Sequence, residues 1–265
     1  MKRRRFTTAA AALGSAAALL PAASQAQVTD LNDAINKAGR QRMLSQRMAK
    51  SYLAEGEGVV PELARRTLTA SMALFDRQLV ELKAFAPQPE IKSTYGKLDG
   101  VWGEYKAALT GSNPVKAHAE TVLELAGKVL ALANQGTVQL EKASGKSVGH
   151  LVNVSGRQRM LSQRMAAFYF SSSWGVKAAT STTEMNKARD EFIAAHDVLK
   201  KAPEATSAIK AELELAETQF SFFDAALRTL RPGAADTTQM TNVFTTSERI
   251  LQVMDGVTGM YSKLS

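Results

Sequence analysis

Eleven residues, Gly39-Arg40-Gln41-Arg42-Met43-Leu44-Ser45-Gln46-Arg47-Met48-Ala49, recur without a change from Gly156 to Ala166. Such an internal repeat constrains the fold before any local reading, because a duplicated segment calls for two copies of one structural unit. The echo runs on at the same spacing: Asn36 matches Asn153, Phe75 matches Phe192 and Leu82 matches Leu199. With one extra residue allowed, Ile91-Lys92 matches Ile209-Lys210 and Ala107-Ala108-Leu109 matches Ala225-Ala226-Leu227. The chain therefore reads as a tandem duplication, with units over 27–143 and 144–265.

Each unit reads as four helices. In the first, a helix over 30–55 runs to Gly56-Glu57-Gly58. The second opens at Pro61, carries Leu63, Leu68, Met72, Phe75, Leu79 and Leu82 at helical spacing and stops at Pro87. A third spans 90–109, and a fourth starts at Pro114 and carries Val122, Leu125, Val129, Leu132 and Leu140. The second unit repeats this, with breaks near Trp174–Thr183, at Pro203 and at Arg231-Pro232-Gly233. No alternating β-branched runs flank turn dipeptides. The expected fold is all-α, a tandem duplication of antiparallel four-helix bundle units with Phe75, Leu82, Phe192 and Leu199 in their cores. Residues 127–149 hold four glycines but no proline, which favours one long helix joining the units; a break near Ser144–Gly149 is the alternative.

The N-terminus reads as an export signal. Lys2 and Arg3-Arg4-Arg5 precede an apolar run over 9–20, then Pro21 and Ser24-Gln25-Ala26, so a signal peptide over 1–26 with cleavage after Ala26 is expected. Arg3-Arg4-Arg5-Phe6 fits the core of a twin-arginine signal, although arginine-rich starts also occur in ordinary signals. The expected compartment is the periplasm. Without these four cations, 29 basic residues face 25 acidic ones, which gives no footprint for nucleic acid. No later segment is apolar for long enough to span a membrane. The absence of cysteine excludes disulfide scaffolds, thiolate metal sites, cysteine nucleophiles and covalent haem motifs.

On a helical wheel of the repeated block, Asn36, Arg40, Arg47 and Ser51 share one stripe and Gly39, Arg42 and Gln46 another. Arginines thus flank both sides of a Met- and Leu-rich helix, and some must lie close to a packed interface. A guanidinium suits that position, since its planar fork is weakly hydrated and matches a planar oxyanion. For any one arginine, an ion pair that fixes bundle register is the simpler reading. Three arginines in eight residues, kept twice with every intervening side chain while the flanks diverged, point instead to a site.

The block resembles that of the PilJ-type N-terminal domain of type IV pilus chemotaxis transducers. Ile35-Asn36-Lys37-Ala38-Gly39 with Arg42-Met43, Ser45 and Arg47 also resembles the periplasmic box of NarX-type nitrate/nitrite sensors. That second resemblance implies that Arg42 and Arg159 are the arginines that grip an anion where two bundles meet. With them, Asn36, Gly39, Arg40 and Arg47 in one copy and Asn153, Gly156, Arg157 and Arg164 in the other form the candidate ligand-binding set. Arg40-Gln41 and Arg157-Gln158 follow the pilus-type rather than the nitrate-sensor pattern, which leaves the anion's identity open. The sequence given carries neither membrane helices nor a signalling module, and reads as the sensory part alone, duplicated and exported.

Other constellations are weak. His118, His150 and His196 have no metal-ligand spacing, the methionines read as core filler, and no nucleophile with its base can be assembled; no cofactor, metal or enzymatic activity is expected. Glu55-Gly56-Glu57 reads as a solvated turn, and Lys50→Ala is expected to change anion binding little. Two functions compete: an exported sensory module holding a small oxyanion, and an adaptor whose arginine block docks on a membrane sensor or transducer. If the units stand apart on a continuous helix, each box needs a box from a second chain, as in a homodimer. If they fold back, Arg42 and Arg159 can face each other within one chain.

Overall fold

The computed structural model describes residues 27–234 and 236–264, so the expected signal peptide lies outside the described residues. Eight α-helices and no strand are present among them. The first unit comprises α1 (Leu31–Gly56), α2 (Pro61–Phe85), α3 (Pro89–Thr110) and α4 (Lys116–Ser144). The second comprises α5 (Ser147–Ser173), α6 (Ala178–Lys201), α7 (Ser207–Leu227) and α8 (Thr237–Tyr261).

Local chemistry sets several of these ends. The Asp30 carboxylate accepts from the Asp33 N–H at 2.9 Å, and that of Asp236 from Thr238 and Gln239, satisfying donors that the first helical turn leaves unpaired. Pro61 and Pro89 occupy first-turn positions, where no amide donor is lost. The turns after α1 and α5 are copies of each other. Gly58 and Gly175 have φ near +70°, and Val60 and Lys177 both cap the next helix from the left-handed region. Val59 N–H donates to Ala54 O and Val176 N–H to Ser171 O, each at 2.8 Å.

Within a unit, the first helix packs on the second and fourth, and the third on the fourth; between units, α1 packs along α5. The two block-bearing helices are thus the centre of an eight-helix assembly. Phe75 is fully buried and lies 4.2 Å from the Trp102 ring, while Phe192 stacks on Phe220 at 4.4 Å; Leu82 and Leu199 are buried beside them.

Two expectations are corrected. The connector is not one continuous helix: α4 stops at Gly145, whose φ of +62° is a left-handed stop, and α5 restarts at Ser147. The chain folds back there, so the two boxes meet within one molecule. The Glu55–Glu57 turn is not simply solvated. Trp174 covers Gly56, and Ser173 Oγ donates to both oxygens of Glu57 at 3.1 Å. Burial pushes the Glu57 carboxyl up to about 8, against the opposing pull of Ser173 and Lys116. Lys50, outside the candidate set, is fully buried. Its ammonium donates to Glu248 at 2.6 Å and Ser247 Oγ at 3.0 Å, and lies 4.2 Å from the centre of the Phe244 ring.

Candidate functional site

Where α1 crosses α5, Gly39 faces Gly156. A Cβ on Gly39 would lie 3.8 Å from Gly156 Cα and 3.3 Å from Nη2 of both Arg42 and Arg159. The missing side chains therefore let two helix backbones and two guanidinium groups share one small volume. Both arginines are wholly buried.

Each guanidinium reaches across to the other unit. Arg42 Nη2 donates to Asn153 O at 3.1 Å and Arg159 Nη2 to Asn36 O at 3.0 Å, so the arrangement is nearly two-fold symmetric. Arg42 Nη1 then donates to Asn134 Oδ1 at 2.9 Å, whereas Arg159 Nη1 donates to Asp255 at 2.5 Å and to Asn36 Oδ1 at 2.9 Å. The two-fold breaks at this point, because Arg159 has a carboxylate and Arg42 has an amide. The Nε of both arginines has no hydrogen-bond partner.

The electrostatics follow the same asymmetry. Burial lowers the Arg42 guanidinium to about 9, and the charges of Arg157 and Arg159 add to the effect; Glu141 opposes it from behind Asn153, whose amide donates to it. Burial lowers Arg159 to about 10, with Asp255 opposing. Both remain cations at neutral pH, held at close quarters in a dry interface, where like charges repel strongly.

The other block arginines do not join the pair. Arg40 and Arg47 turn to α8, where they meet Asp255 at 2.7 Å and Glu248. Arg157 and Arg164 turn to α6, meeting Glu191 and, at 3.1 Å, Glu184. Of the residues proposed from sequence, Asn36, Gly39, Arg42, Asn153, Gly156 and Arg159 are brought together, and the remaining four line the flanks. Sequence reasoning missed Asn134 and Asp255. Neither belongs to a repeated motif, and their pairing with the arginines depends on how α4 and α8 lie against the central helices.

The model of the type IV pili methyl-accepting chemotaxis transducer N-terminal domain, PilJ, matches residues 24–136 and again 142–244. The chain belongs to the PilJ family. The two PilJ matches each include one copy of the arginine block and one half of the buried pair. Family membership makes the chain a sensory module of the chemotaxis-transducer type rather than a member of a catalytic family. No curated protein and no solved structure matches it. Among the described residues no helix is long and apolar enough to cross a membrane, and no group of three or more acidic or histidine side chains is placed to hold a metal.

Proposed function

We infer that this PilJ protein is a periplasmic sensory module that binds one small planar oxyanion, of the nitrate or nitrite type, between Arg42 and Arg159. The observation that carries this reading is the pair itself: two fully buried guanidinium groups meet at Gly39, and only one of them, Arg159, is bonded to a carboxylate, Asp255, while Arg42 has only amide and carbonyl oxygens. An anion accepting from the unpartnered Nε donors would relieve both the repulsion and the unmet hydrogen-bonding capacity. The duplicated chain would then supply from one molecule the two arginines that a dimer would otherwise provide. The adaptor reading draws no comparable support, since Arg42 and Arg159 face inward and offer no surface to a partner. Homodimerisation and contact with a membrane transducer are compatible with the oxyanion reading but are not required by it.

Titration calorimetry with nitrate, nitrite, sulfate and phosphate tests the reading. One planar anion is expected to bind with a stoichiometry of one per chain and to raise the melting temperature as its concentration rises. Arg42→Lys and Arg159→Lys keep the charge but lose the fork, and each is expected to weaken binding by about tenfold or more. Undiminished binding in the double variant would remove the proposed site.

A further inference from the structure

Matched contacts give the register between α4 and α8. Gln46 Nε2 donates to Ala126 O, and its copy Gln163 donates to Ser247 O. One residue further along each helix, Gly127 corresponds to Glu248; eight residues along, Asn134 corresponds to Asp255. The contacts agree, since Arg42 and Arg157 both donate to Asn134 Oδ1 (2.9 and 3.3 Å), as Arg159 and Arg40 both donate to Asp255. The second unit thus places two carboxylates on α8 against arginines from the first box. The first unit places none on α4 against Arg157 and Arg164.

A cleft of about 390 Å³ lies between α4, α5 and α6, and one of about 400 Å³ lies at the matching place between α1, α2 and α8, where Glu248 and Asp255 are part of the lining. Gly127 and Asn134, in the places of Glu248 and Asp255, are part of the first cleft's lining. Leu130, Ala131, Met160 and Leu161 supply apolar wall, and Arg157 and Arg164 point into it. Glu191 and Glu184 from α6 occupy one side of these two arginines. With Lys187 also on the rim, three cations face two carboxylates, and the buried Arg42 adds its charge from behind Asn134.

We propose that this cleft is a second anion site, outside the Arg42–Arg159 crossing but sharing Asn134 with it, and that it takes a small organic monocarboxylate. The ligand's carboxylate accepts from Arg157 and from the Asn134 amide, supplying to the Arg42–Arg157 side the negative charge that Asp255 supplies to Arg159 and Arg40. Its short apolar tail lies along Leu130, Met160 and Leu161. The cleft volume is in the range of small-molecule sites, and an apolar wall with a few convergent polar groups is their usual composition. A bare inorganic anion would leave that wall in contact with water, which is the physical reason for choosing a carboxylate with a tail.

The test is titration of the purified chain with acetate, butyrate and benzoate by calorimetry. Butyrate or benzoate is expected to bind one per chain, more tightly than acetate. Asn134→Asp builds the Asp255 arrangement into the first unit: it is expected to weaken carboxylate binding by about tenfold or more while leaving the melting temperature at or above that of the parent. Arg157→Ala, at a partly exposed position, is expected to weaken binding to a similar degree with an unchanged circular dichroism spectrum, and it carries the test if Asn134→Asp misfolds. Failure of all three acids to bind would overturn the proposal, as would unchanged affinity in Arg157→Ala. If nitrate binds and the carboxylates do not, this cleft is refuted while the Arg42–Arg159 reading stands; if the reverse holds, the cleft stands alone.

Discussion

At the residue scale, the burial of charge is what separates this chain from an ordinary bundle. Lys50 illustrates how much is at stake in one side chain. Burial lowers its ammonium to about 8 against the pull of Glu248, while Lys50 and Arg47 together overcome burial and hold the Glu248 carboxyl at about 2. Lys50→Ala removes one cation, leaves a cavity against Phe244, and should destabilise the chain by roughly 2–4 kcal/mol, measured by chemical denaturation. Its copy in the second unit is Ala167, so the corresponding cost falls on one unit only. Glu57 works in the opposite sense. Its folded value, near 8, lies above the ordinary glutamate range, so folding favours the protonated form. In the window between the two values the unfolded chain releases a proton that the folded chain keeps, and stability therefore falls as pH rises from about 4.5 towards 8. Glu57→Gln keeps an acceptor for Ser173 and should flatten that decline. Melting temperatures of parent and variant are expected to converge near pH 4 and to separate, with the variant higher, near pH 8.

At the element scale, the decisive feature is the stop between α4 and α5. The helical pattern runs through residues 127–149 with little to interrupt it, and the favoured continuous connector would have carried the two boxes apart. A single left-handed residue reverses that outcome. Gly145 adopts φ +62° at no steric cost, and its N–H returns to Glu141 O at 3.2 Å. Gly145→Ala should cost about 1–2 kcal/mol with helix content unchanged by circular dichroism, since it strains the stop without rewriting either helix. The turns after α1 and α5 are different in kind. They match in backbone conformation, with Gly58 and Gly175 in the left-handed region and Val59 and Val176 buried beneath, although only this Gly-Val pair is common to the two turn sequences.

At the scale of the whole molecule, α1 against α5 joins the two units through a shared dry interface rather than a flexible tether. The chain is therefore expected to unfold in one cooperative calorimetric transition, although it contains two family domains. Phe75→Ala, deep in the first unit against Trp102, should destabilise by roughly 3–5 kcal/mol and lower that single transition as a whole. Two separated transitions, of which only one responds to Phe75→Ala, would show that the units fold independently.

The repeat and its helical spacing determined by themselves that the chain is all-α and doubled, and that Phe75, Leu82, Phe192 and Leu199 lie in the core. Those features rest on periodicity and burial, both written locally along the chain. The arginine block was likewise legible as a repeated cluster close to a packed interface, but the division of labour within it was not. Only the tertiary structure turned Arg42 and Arg159 to the crossing and sent Arg40, Arg47, Arg157 and Arg164 to the flanks, because a helical wheel does not say which neighbour covers which face. It was also the tertiary structure that put Asn134 and Asp255 at matching places, eight residues beyond the Gln46 and Gln163 contacts. An amide opposite one buried guanidinium and a carboxylate opposite the other is a difference of one functional group in two distant helices, and it acquires meaning only when the folded chain brings both to the same pair of arginines.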